Sequence, residues 1–134
     1  MAVLKHETMR LFSEDDIVHV RHIVREWARQ QEFSLVDQTK VITAASELAR
    51  NTVHYGGGGV VHLEALQQQS RRGLQLTFED QGPGIPDVAL AMKDGFTTGT
   101  GLGLGLGGAK RLSNEFEIVS SSGTGTRVRI VKWK

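Results

Sequence analysis

The sequence predicts an α+β domain: a mixed, mostly antiparallel sheet with helices packed on one face. Two patterns point there. In the first half, apolar residues recur at helical spacing over two long stretches, and later they alternate at strand period in two pairs of segments joined by turn residues. The order is the third observation. A strand, two helices, a hairpin, a short helix, a glycine loop with its helix and a second hairpin follow one another, so helices interrupt runs of adjacent strands.

Val3 to Arg10 reads as a short strand. Ser13 then opens a helix over roughly residues 14–31, with Asp16 at the capping-box position and Glu14, Asp15 and Asp16 at the positive helix end. Ile17, Val20, Ile23, Val24 and Trp27 form its apolar stripe. His19 and His22 lie on it three apart, without the spacing or third ligand of a zinc site, and read as solvated or half-buried face residues. Asp37 opens a second helix over roughly 37–55, striped by Val41, Ala44, Ala45, Leu48, Ala49 and Thr52. The run Gly56-Gly57-Gly58-Gly59 ends it, one of these glycines serving as a left-handed cap.

Val60 to Gln68 alternates as a strand, Ser70-Arg71-Arg72-Gly73 reads as the turn, and Leu74 to Asp80 returns. Pro86 to Met92 holds one or two helical turns, and Asp94 to Gly101 reads as a loop. A second glycine cluster, Gly99 to Gly108, leads into a helix of roughly 104–114. Phe116 to Val119 and Thr126 to Trp133 form a final hairpin around Ser121-Ser122-Gly123-Thr124-Gly125.

The composition narrows the function classes. At 134 residues the chain reads as one domain, and 39% hydrophobic with 23% charged residues is ordinary for a soluble protein. A formal net charge of +1 favours neither nucleic acid nor an acidic membrane as partner. No cysteine is present, which excludes disulfides, thiol catalysis and cysteine-based zinc sites. Without a membrane-length apolar run or a signal-peptide pattern, a cytoplasmic location is expected.

Three stretches carry chemistry. Glu47 and Asn51 are four apart and share a helix face. The strand Leu74, Leu76, Phe78 runs into Asp80, and Gly82 and Gly84 follow in a proline-bounded turn that lets a flat ligand approach backbone. A carboxylate at such a strand end can accept from an exocyclic amine. The glycine cluster before a helix gathers backbone N–H groups as an anion site.

In this order, Ser46 to Tyr55, Asp80-Gln81-Gly82-Pro83-Gly84, Gly99 to Gly105 and Gly123-Thr124-Gly125-Thr126 resemble the boxes of the Bergerat (GHKL) ATP-binding fold. Within it, Val36-Asp37-Gln38, Ala44 to Asn51, Glu79 to Asp87 and Asp94-Gly95-Phe96-Thr97-Thr98 look like the RsbT-type serine/threonine kinases of bacterial partner-switching stress modules. The resemblance implies ATP and Mg²⁺ as cofactors, with Glu47 as the catalytic residue that orients or deprotonates the attacking hydroxyl and Asn51 as the Mg²⁺ ligand. Asp80, Gly82, Gly84 and Thr126 would bind the adenine side, and Thr100, Gly101, Leu102, Gly103, Leu104 and Gly105 the phosphates. His54 stands among the ATP-binding residues where many members carry lysine. The implied activity is phosphorylation of a STAS-domain antagonist protein, after which the freed kinase activates a PP2C-type phosphatase. The alternative is an anti-sigma factor that holds a sigma factor directly.

Overall fold

The structure, a computed structural model, describes residues 1–93 and 105–134. Strand β1 (Ala2–Leu11) leads into α1 (Glu14–Gln30) and α2 (Leu35–Arg50), then β2 (Gly59–Gln68) and β3 (Arg71–Asp80). The short α3 (Val88–Ala91), α4 (Gly105–Arg111), β4 (Glu115–Ser120) and β5 (Thr126–Trp133) complete the chain. The sheet order is β1-β2-β3-β5-β4, and each of these pairings is antiparallel.

Helix α1 starts where the sequence puts it. The Asp16 N–H donates to Ser13 Oγ, and Asp16 Oδ2 accepts from the N–H groups of Phe12 and Ser13. The Phe12 bond above all holds the Asp16 carboxyl below its ordinary value. Helix α2 starts earlier than Asp37. Ser34 is its cap, accepting from the Asp37 N–H at 3.2 Å. Leu35 and Val36 occupy the first turn exposed, which hides the true start from a reading based on apolar periodicity. The first hairpin is also tighter than expected. Its turn is Gln69-Ser70, with Gln69 at φ 55, and Arg71 already belongs to β3. Helix α4 ends at Arg111, three residues before the expected position.

One sheet face is dry. Val61, Leu63, Leu74, Leu76, Phe78, Val128 and Ile130 pack with Ile17, Val20, Val24 and Trp27 of α1 and with Val41, Ala44, Ala45 and Leu48 of α2. Each large side chain buried this way stabilises the fold by about 1.5–3 kcal/mol. Lys132 alternates onto this face and is buried, because its ammonium pairs with Asp37 at 3.3 Å. The other face is largely polar, as one face of an antiparallel sheet can be. Thr8 lies 2.9 Å from His62, His62 3.0 Å from Glu79, and Gln75 donates to Glu64 at 2.6 Å. At its far end Leu66, Val131 and Trp133 form a small apolar cluster, with Arg71 stacked over the Trp133 ring.

Candidate functional site

The candidate site lies where the end of α2 meets the end of β3. Glu47, on the last full turn of α2, is only 8% exposed. Its Oε1 sits 3.3 Å from Nη1 of Arg50, one turn on. Asn51 follows, half-buried, and its side-chain amide makes no hydrogen bond among the described residues. The helix does not continue to Tyr55 as an α-helix. Residues Asn51–Tyr55 wind as a π-helical turn, a rare geometry found often at functional sites. The wider turn sends the Gly56 N–H to the Asn51 carbonyl at 2.9 Å and the Gly58 N–H to the Thr52 carbonyl at 2.8 Å. Gly57 and Gly58, at φ 77 and 105, then reverse the chain into β2, as the expected left-handed cap requires.

This turn delivers Gly56 onto the second half of the site. A β-carbon on Gly56 would collide with the Asp80 carboxyl group, so only glycine lets the helix end close over that acid. Asp80 ends β3 buried, at 8% exposure, and accepts the Gly82 N–H at 2.9 Å. Burial pushes its carboxyl above the ordinary value, against the opposing pull of the Gly82 and Thr126 N–H groups. A carboxylate has about four lone-pair sites, so beyond the Gly82 and Thr126 N–H groups Asp80 can still accept from an amine N–H. A pocket of about 440 Å³ opens beside it, lined by Phe12, Gly56 to Gly59, Val60, Glu79, Asp80 and Gln81. Glu47 and Asn51 do not line this pocket.

The turn after Asp80 is latched from both sides. Gly84, at φ 75, lies so close to the Ser121 carbonyl that a β-carbon would clash, and its own carbonyl accepts from the Tyr55 hydroxyl at 3.0 Å. Ser120 Oγ accepts the Ile85 N–H at 2.8 Å and donates to the Gly125 carbonyl at 3.0 Å. With its one proton committed there, Ser120 must accept from the Thr126 hydroxyl 2.8 Å away. Thr126, paired with Asp80 in the β3–β5 register, therefore offers lone pairs and not a proton to anything bound at Asp80.

The sequence-predicted residues thus fall into three groups. Asp80, Gly82, Gly84 and Thr126 gather around Tyr55, Gly56 and Ser120, while Glu47 and Asn51 stand on the helix end that leads into Gly56. His54, exposed on the π-turn, has its Nε2 paired with Glu14 at the start of α1, and Gly105 opens α4, which packs on α2. Thr100, Gly101, Leu102, Gly103 and Leu104 lie outside the described residues, as does the stretch from Asp94 to Thr98. Sequence reasoning missed Arg50, Tyr55, Gly56 and Ser120. Arg50 was legible as an i, i+3 partner of Glu47. The other three act through long-range contacts that local patterns do not encode.

The donor set suits Mg²⁺ and a purine nucleotide. An amide oxygen without a partner among the described residues is the hard ligand such an ion takes alongside water and phosphate, and a buried acceptor lining an open pocket suits a ring carrying an amino group.

Known proteins resemble the chain over most of its length. The histidine kinase-like ATPase domain family matches residues 12–132. The serine/threonine-protein kinase RsbT of Bacillus subtilis is 46% identical over 125 residues, covering 93% of this chain and 94% of that protein. An anti-sigma F factor of a Thermoanaerobacter species is 30% identical over 121 residues, covering 84% and 82%. Among solved structures, the RsbU and RsbW domains of a Mycobacterium tuberculosis protein share the fold at TM-score 0.65 and 21% identity, over 97% of this chain and 32% of that one. The mycobacterial sensor histidine kinase MprB does so at 0.56 and 19%, over 96% and 97%.

Proposed function

This chain belongs to the histidine kinase-like ATPase family, in its RsbT-type serine/threonine-protein kinase branch, and we propose that it phosphorylates a STAS-domain antagonist in a partner-switching module. Asp80 reads the adenine amino group, with Thr126 accepting from a bridging water. Asn51 holds Mg²⁺, which neutralises phosphate charge when bound. Glu47 takes the proton of the attacking serine or threonine hydroxyl. That oxygen bonds the γ-phosphorus as the bond to the β–γ bridging oxygen breaks, and its electron pair leaves with ADP. Phosphorylation adds about −1.5 to −2 charge to the antagonist surface and releases it. The freed kinase then binds and activates a PP2C-type phosphatase.

The observation that carries this reading is the junction at Gly56. It links the helix bearing Glu47 and Asn51 to the buried acid of β3 through one hydrogen bond and one side-chain-free contact. Incubation with radiolabelled ATP, Mg²⁺ and STAS-domain proteins tests it. Label on a partner hydroxyl, lost in Glu47→Ala and in Asn51→Ala, is the expected result. No label on any STAS protein under conditions where ATP binds contradicts it.

The 30% identity to anti-sigma F factors favours a second reading, in which the chain is an anti-sigma factor that holds a sigma factor directly. Capture of a sigma factor in a pull-down, with no STAS partner labelled, would establish that reading in place of the first.

A further inference from the structure

We propose that Arg50 is a positioning residue for Glu47, fixing the buried carboxylate so that one oxygen is presented to the incoming hydroxyl. This rests on the reading of Glu47 as the base. Glu47 is almost fully buried, and Arg50 is its one ionic or hydrogen-bonding side-chain partner among the described residues. Removing that partner leaves the carboxylate without the side-chain contact that fixes its orientation.

The geometry of the pair also matters. A single guanidinium nitrogen, Nη1, meets a single oxygen, Oε1, at 3.3 Å. A bidentate clamp would tie both carboxylate oxygens and leave each a single lone pair for proton transfer. The single contact holds Oε1 and leaves Oε2 available. Arg50 lies one turn after Glu47 and next to Asn51, so the carboxylate is fixed from the same end of the helix that carries the amide. Arg50 itself remains partly exposed, with 36% of its side chain accessible. It therefore keeps water on its outer edge while steadying the buried acid.

The test compares Arg50→Met, Arg50→Gln and Arg50→Lys, each alone and with Glu47→Gln, using Mg-ATP and a STAS-domain protein that the parent chain phosphorylates. If Arg50 acts through Glu47, the Met and Gln variants lower kcat about tenfold or more, within the range of a general base, while KM for ATP stays within about twofold. Arg50→Lys recovers most of the rate, because it restores a charge to the carboxylate. Adding Arg50→Met to Glu47→Gln costs nothing further.

A kcat within about twofold of the parent in both neutral variants overturns the proposal, as does a further loss in the Glu47→Gln background. Loss of ATP affinity in place of kcat also overturns it. Full activity in Glu47→Gln alone is a different failure: it removes the base assignment on which the proposal stands.

Discussion

Asp80 and Asn51 sit on either side of the Gly56 junction, and the chain holds them in different ways. Around Asp80 nearly every polar atom is committed. The acid takes the Gly82 N–H, Tyr55 and Ser121 flank Gly84, and Ser120 ties Ile85, Gly125 and Thr126 into one network. Around Asn51 little is committed. Its amide has no partner among the described residues, Glu47 has Arg50, and His54 turns to Glu14 at the surface. The acid half is built before anything binds, whereas the helix half presents side chains with bonds still to make. Preorganisation lowers the entropic cost of binding, and groups with spare capacity can bond a state that exists only during reaction. On the proposed reading, the acid half would set affinity and the helix half rate.

The largest expected effect separates the halves most sharply. Glu47→Ala should slow phosphoryl transfer by about 10²- to 10⁴-fold in single-turnover assays, leaving ATP affinity within about threefold. A matching loss in affinity would erase the distinction.

Gly84→Ala attacks the prebuilt half. A β-carbon there meets both a positive φ and the Ser121 carbonyl, so urea unfolding should show a loss of at least about 1–3 kcal/mol. An unchanged unfolding midpoint would mean that the turn is not tightly held.

Tyr55→Phe removes a single hydrogen bond from the same turn and should cost about 0.5–1.5 kcal/mol in the same assay.

The smallest effect concerns pH. The Asp80 carboxyl is raised above its ordinary value in the folded state, so burying it charged opposes folding at neutral pH. That cost is absent below the unfolded value and grows as pH rises from there through the folded one. The melting temperature of Asp80→Asn relative to the parent should therefore gain between about pH 4 and pH 7, with that gain shrinking as pH falls. A gain that grows on acidification would reverse the assigned sign.

Much of this was legible in the sequence because the signals were local. The Ser13 capping box, the strand ending at Asp80 and the glycines reversing the chain after α2 each follow from a few adjacent residues. The pairing of Glu47 with Asn51 needed only helical spacing. What escaped depended on distant contacts. The start of α2 at Leu35 contradicts its own exposed apolar residues, and the π-turn has no periodicity of its own. Lys132 reads as a misplaced charge until Asp37 is brought beside it. Gly56 belongs to a run of four glycines, and nothing in the run marks the one that lies against Asp80.

The most direct test of the central claim, that the β3 acid under Gly56 reads the adenine of ATP, is calorimetric titration of Mg-ATP into the parent and Asp80→Asn proteins. The account predicts a loss of about tenfold or more in affinity in the variant, because the amide presents a donor where an acceptor is needed. Equal affinity in the two proteins would contradict it.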